Sequence, residues 1–194
     1  MAPKTKAQFE EIRQHSKTAI QAAALELFAT KGFASTSISD IAKAAGISKG
    51  LMYNYFESKE ELLRAIISEA VVEGEGLMND TLSRLFTPKE QLIAIVEGTF
   101  HMVKSKLQYW KLLTSLAFQP ELIGEFEWAL QTKRQETLEL LKNILAGLGV
   151  EDTEKEAYLF GAALDGILLQ YFFLGSSYPL DEMKTLFIQR FCRY

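Results

Sequence analysis

Residues 37–56 read SISDIAKAAGISKGLMYNYF, and the fold turns on how this stretch is spaced. Ser37 opens an S-x-x-D pattern with Asp40, a form of the capping box that starts a helix. Ile38, Ile41, Ala42 and Ala45 follow at helical spacing and make one apolar stripe. Gly46 stands just past that stripe, where a helix ends most easily on a residue that tolerates left-handed dihedrals. Ser48 is placed to cap a second helix, whose apolar face is Met52 and Phe56. Ala42 leaves room for two helices to cross, and Ile47 and Met52 fill the wedge between them. The rest of the second helix is Ser48, Lys49, Gly50, Leu51, Tyr53, Asn54 and Tyr55, a surface of hydrogen-bonding and aromatic groups around one cation. Such a face suits a helix laid in the major groove of DNA. An ordinary αα-hairpin with a wetted face satisfies the same pattern.

The run ASTSISDIAKAAGISKGLMYNYFESKEELL (Ala34–Leu63), preceded by A-A-x-x-L-F-A-x-x-G-F at Ala23–Phe33, resembles the TetR family of bacterial repressors. The likeness covers the first third of the chain and rests on the Gly-Ile-Ser-Lys-Gly turn, the Tyr-x-Tyr-Phe ending and the downstream Lys59. Met52 and Tyr55 are mild variants of the family pattern, and Leu51 stands where many members carry a small residue. The resemblance implies a DNA-binding domain at 1–57 with its helix-turn-helix at 37–56. The groove-facing set is Lys49, Tyr53, Asn54 and Tyr55, in which Lys49 suits guanine O6/N7 and Asn54 suits adenine, and Gly50 and Leu51 on the same helix are counted with the DNA-binding residues. Thr36, Ser37, Ser48 and Lys59 are the expected phosphate contacts, and Ser39 is a further DNA-binding candidate. Lys59 lies in the first turn of a helix capped by Ser58, in S-K-E-E with Glu61. A lysine there opposes the helix dipole, a conflict that an external phosphate would remove.

Upstream, Ile20, Ala23, Ala24, Leu27 and Phe28 follow the spacing of a buried helix face from near Phe9 to Lys31, and Gly32 stops it. Arg13 and Lys17 lie one turn apart near its start, as phosphate contacts or as a solvated face. The charge is distributed unevenly. The whole chain of 194 residues carries a net charge of −4. Residues 1–56 nevertheless hold Lys4, Lys6, Arg13, Lys17, Lys31, Lys43 and Lys49 against Glu10, Glu11, Glu26 and Asp40. The basic end is thus the end with the helix-turn-helix pattern. Cys192 is the single cysteine and cannot form an intrachain disulfide, which suits a reducing cytoplasm. The first residues, MAPKTKAQFEE, carry no apolar signal region. The longest apolar run, Tyr158–Leu174, is interrupted by Gly161, Asp165 and Gly166 and makes a poor membrane span.

Everything downstream reads helical. Residues 58–83 form a connecting helix containing Gly74 and Gly76, which mark either a hinge or the end of the helix. Pro88, capped by Thr87, starts the next. Further helices follow over 107–118 and 121–147, and the last two lie within 153–194. Phe100, Tyr109, Trp110, Phe118, Phe126, Trp128, Tyr158 and Phe160 are dense enough to line an apolar cavity, or to be core. His101, Gln131, Arg134 and Asp165 are its candidate polar groups, with an edge histidine and a surface arginine as the plainer alternatives. Tyr158–Leu174 is apolar on more than one face, so a second copy is expected to cover it. Gly161, Ala162, Leu164, Asp165, Leu168, Phe172, Phe187 and Phe191 are the candidate dimer-interface residues.

No Ser/His/Asp or Cys/His grouping, phosphate-cradling glycine loop or metal-ligand spacing occurs, so neither an enzyme nor a cofactor is expected. The expectation is an all-α chain of about nine helices. A three-helix N-terminal DNA-binding domain precedes a larger C-terminal domain, 58–194, for effector binding and dimerisation. The resemblance implies a cytoplasmic homodimer, without membrane association, that represses from a palindromic operator in double-stranded DNA. An apolar or amphipathic small molecule would release it. The alternatives are a DNA-binding regulator controlled by a protein partner or by redox at Cys192, and a helical small-molecule carrier or enzyme.

Overall fold

A computed structural model describes residues 5–84, 87–117 and 127–193, and the expectations for Phe118, Phe126 and the side chain of Trp128 fall outside what it describes. Nine α-helices and no strand are found among the described residues. They are α1 (Lys6–Lys31), α2 (Ile38–Ala44), α3 (Lys49–Tyr53), α4 (Lys59–Ser83), α5 (Pro88–Ser105), α6 (Leu107–Ala117), α7 (Glu127–Gly147), α8 (Thr153–Leu174) and α9 (Leu180–Phe191). A single 3-10 turn, Gly175–Ser177, occupies the loop before α9. The chain forms two compact units, Met1–Glu73 with Lys111–Ser115, and Gly74–Trp110 with Leu116–Tyr194.

In the first unit, α1 packs on α2 and α2 on α3. Its buried side chains include Ile20, Ala24, Phe28 and Phe33 from α1 and the turn after it, Ile41 and Ala42 from α2, and Met52 and Phe56 from α3 and its end. Leu62, Leu63, Ile66 and Ile67 of α4 are buried as well. The local chemistry is the chemistry expected of these residues. Ser37 Oγ accepts from the Asp40 N–H at 3.1 Å while the Asp40 carboxylate accepts from the Ser37 N–H at 3.0 Å. Gly46 takes φ +70, a conformation that side-chain-bearing residues rarely adopt, and so reverses the chain between α2 and α3. Helix α1 begins at Lys6, ahead of Phe9, because Thr5 and Gln8 form a capping box of their own.

In the second unit, α7 packs on α5 and α8, and α9 packs on α5 and α8. The core is built from Leu92, Val96, Phe100 and Val103 of α5, Leu141 and Leu145 of α7, Phe160, Leu164 and Leu168 of α8, and Phe187 of α9. The Phe160 ring meets that of Phe187 edge-on at 4.9 Å, a favoured aromatic geometry. Gly147 ends α7 where a Cβ would stand 2.8 Å from Pro88 Cγ, so only glycine lets these two helix ends approach. Asp181 receives both of its oxygens' contacts from Lys104 Nζ at 2.7 Å, tying α9 to α5.

Helix α4 runs unbroken through Gly74 and Gly76, which overturns the alternative of a helix end there. Helix α8, with the turn that follows it, is long and apolar enough by length and composition to cross a membrane. Its Ala157, Phe160, Leu164 and Leu168 are nevertheless buried in the chain's own core.

Candidate nucleic-acid interface

Helix α3 is held by one face. Met52 is fully buried and Phe56, just past its end, nearly so. Ser48 Oγ caps it by accepting from the Leu51 N–H at 3.1 Å. Everything else on it points outward: Lys49, Gly50, Leu51, Tyr53 and Asn54 are exposed, and Tyr55 is half-buried. No side-chain hydrogen bond or ion pair engages Lys49 or Asn54 among the described residues. This is a cationic, amide and aromatic surface with no task inside the fold. Ser39 is exposed on α2, the helix against which α3 packs.

The charges behind this face are fixed. Asp40 accepts from Lys31 Nζ at 2.9 Å, and that bond, with two more from Ser37, holds its carboxyl well below the usual carboxylate range. Lys17 lies with its ammonium 6.0 Å from the Phe56 ring centroid, while Arg13 is exposed.

Three expected phosphate contacts are committed elsewhere. Thr36 is buried, and its hydroxyl donates to the carbonyl oxygens of Gly32 at 2.8 Å and Leu27 at 3.3 Å. Lys59 Nζ donates to the carbonyl oxygens of Phe33 at 2.8 Å and Thr36 at 3.0 Å. The unfavourable placement of a lysine in a helix's first turn is therefore relieved internally, by two carbonyls of the connector between α1 and α2, and needs no phosphate; the Phe33 carbonyl also accepts from the Thr36 N–H at 3.2 Å. The Ser37 hydroxyl both caps α2 and donates to Asp40 at 2.9 Å. Glu61 also departs from its expected place, since its carboxylate accepts from the Glu57 N–H and not from that of Ser58.

The candidates in the second unit divide in the same way. Phe100 and Tyr109 are buried, and burial pushes the Tyr109 hydroxyl up to about 12. Trp110 packs against the core with its indole nitrogen buried, and neither that N–H nor the buried Gln108 Oε1 has a partner among the described residues. His101, Gln131, Arg134 and Tyr158 face outward, so they do not line an interior with the aromatics. Leu164, Leu168 and Phe187 are spent on the protomer's own core and leave no surface for a partner copy. Phe172 and Phe191 are half-buried against that core, and Gly161 is half-exposed.

The apolar surface left open on α8 lies instead on Tyr158, Leu159, Phe173 and Leu174, with Leu186 on α9. Ala162, Asp165 and Gly166 are exposed among them. The sequence carries this signal: Leu159, Ala162, Gly166 and Phe173 recur at helical spacing as a second stripe beside the buried one. Although Asp165 is open to solvent on one side, the groups packed around its carboxyl strip part of its hydration and raise it above its ordinary range, against the opposing pull of Arg134.

Comparison with known proteins agrees with this arrangement. Residues 20–66 match the model of the family described as bacterial regulatory proteins, tetR family. The HTH-type transcriptional regulator AcrR of Shigella flexneri is 31% identical, over 94% of this chain and 88% of its own length. A TetR-like transcriptional regulator from Rhodococcus sp. RHA1 has the same fold, with a TM-score of 0.76 at 26% identity over 89% of this chain and 91% of that one. The transcriptional regulator FadR from Bacillus subtilis, solved in complex with stearoyl-CoA, superposes with a TM-score of 0.70 at 21% identity over 90% of this chain and 97% of its own.

Proposed function

Because this chain belongs to the TetR family of bacterial regulatory proteins and is a DNA-binding transcriptional regulator, we propose that it acts as a cytoplasmic homodimeric repressor. Its two copies of α3 read the half-sites of a palindromic operator, and an amphipathic small molecule with a long apolar part releases it. The observation that carries the DNA side is the outward face of α3, where Lys49, Tyr53 and Asn54 make no contact that the fold requires. The uncovered apolar surface of α8 supports the dimer, since two such helices meeting about a two-fold axis would bury what each leaves open.

The effector class rests on two supports. One is the stearoyl-CoA held by the structural neighbour. The other is the chemistry at the start of α6, where a buried Trp110 N–H, its ring against that of the buried Tyr109, and a buried Gln108 oxygen have no partner among the described residues. Apolar walls with one or two orienting polar groups favour an amphipathic molecule. Binding then lowers operator affinity by favouring a conformation in which the two recognition helices no longer fit the groove. Redox control at Cys192 is disfavoured, because its thiol is buried and pushed up to about 11.

The test is binding of the full-length protein to the DNA flanking its own gene across a salt series. Steeply salt-dependent, sequence-preferring binding that weakens in Lys49→Ala and Tyr53→Ala is the expected result. Addition of long-chain acyl-CoA is expected to release the DNA, less effectively in Trp110→Phe. Equal binding to random DNA would reject the operator reading. Release by no acyl or other amphipathic compound would reject the effector class alone.

A further inference from the structure

We infer that Leu51 reads the 5-methyl group of a thymine in each operator half-site, and that Gly50 is there to let the backbone of α3 come close enough. This rests on α3 being the helix that enters the groove. A helix turns 100° per residue, so the line opposite the buried Met52 passes through Gly50 and Asn54. One flank of that line carries Lys49 and Tyr53, and the other carries Leu51 and Tyr55.

One of the two outermost positions is thus a glycine, and nothing among the described residues explains it. Gly50 has no positive φ, and a Cβ built on it meets no atom within 4 Å. In a helix interior a glycine costs about 0.5–1 kcal/mol relative to alanine, and Gly50, in the first turn of α3, carries part of that cost. A residue that weakens its own helix, with no turn and no internal neighbour to accommodate, fits a surface approached closely from outside.

A single exposed leucine needs no explanation by itself. Leu51 is 38% exposed, and its position gives the exposure meaning. It flanks the bare glycine line, and the flank on the other side carries a cation. In the major groove the thymine methyl is the distinctive apolar feature, whereas guanine offers acceptors to a cation. The two flanks of α3 therefore suit different bases, and Leu51 is the specificity-determining residue for thymine.

The experiment begins with a random duplex library selected in vitro with the full-length protein. The enriched duplex is then resynthesised with each thymine pair, one per half-site, replaced by deoxyuridine, which removes only the methyl. Wild-type protein is expected to lose about fourfold in affinity per half-site at one such position, the worth of one buried methyl. Leu51→Ala should bind the unmodified duplex more weakly and show no response to that replacement, whereas Leu51→Met, which keeps an apolar tip, should retain it. Gly50→Ala should keep or raise the melting temperature while losing affinity. Wild-type indifference to every replacement, or an unchanged response in Leu51→Ala, would overturn the assignment, and wild-type affinity in Gly50→Ala would overturn the close approach. Failure to enrich any duplex would reject groove reading by α3 and this inference with it.

Discussion

Lys59 donates to the carbonyl oxygen of Phe33 at 2.8 Å, and its ammonium stands 4.3 Å from the centroid of the same residue's ring. With the second bond, to Thr36, two of the three ammonium donors are used in the connector between α1 and α2. The first turn of α4 is thereby fastened to the connector that leads into α2.

Lys59→Met should therefore lower stability by about 1–3 kcal/mol, the cost of leaving carbonyls without a charged donor. It should leave the salt dependence of DNA binding almost unchanged. A phosphate contact would instead reduce the slope of log affinity against log salt by about 1. Thermal melting together with a salt series separates the two. A reduced slope with unchanged melting would return Lys59 to the DNA.

How much of this was legible in the sequence differs from element to element. The capping box of Ser37 and Asp40, the turn at Gly46, the cap at Ser48 and the Thr87–Pro88 start of α5 depend on neighbours a few residues apart, and all formed as read. Lys59 did not, because its partners lie 26 and 23 residues away and no local spacing reveals a long-range carbonyl acceptor. The same limit applies to α8. Its sequence shows two apolar stripes, but only packing against α7 and α9 decides that Leu164 and Leu168 face inward while Leu159 and Phe173 face out.

Asp165 gives a pH signature. Its folded pKa is raised above the ordinary value of 3.8 by burial, with Arg134 pulling the other way. The folded chain thus holds a proton more readily than the unfolded one. This favours folding below the unfolded pKa and is lost as pH rises through the folded value. Asp165→Asn is expected to melt higher than wild type at pH 7, with the gap closing toward pH 3. A gap independent of pH would mean that the substitution acts through something other than charge.

Cys192 should be inert in the native protein. Burial moves its thiol from 9.0 to about 11, so at pH 8 the thiolate is scarcer by about a hundredfold before access is considered. A colorimetric disulfide reagent is expected to react slowly with native protein and rapidly once guanidinium unfolds it. Cys192→Ser should leave DNA binding insensitive to mild peroxide, as in wild type. Fast native labelling would reopen redox control.

Phe173 is 76% exposed and Leu159 55% exposed, both on the open side of α8. Burying them against a second copy contributes in proportion to the apolar area removed from water, about 25 cal/mol for each Å². A carboxylate at either place would have to be buried without a partner, which costs more than the lost apolar contact. Phe173→Glu is therefore expected to shift the protein from dimer to monomer in analytical ultracentrifugation. Helix content should stay as it is, because these side chains lie outside the protomer's core. A monomer presents one α3, so its affinity for a palindromic duplex should collapse toward that for a single half-site. Leu164→Ala makes the contrast, since Leu164 lies in the core and the change should cost about 2–5 kcal/mol of stability with the dimer retained. If Phe173→Glu stayed dimeric and Leu164→Ala dissociated, the interface would lie on the other stripe of the helix.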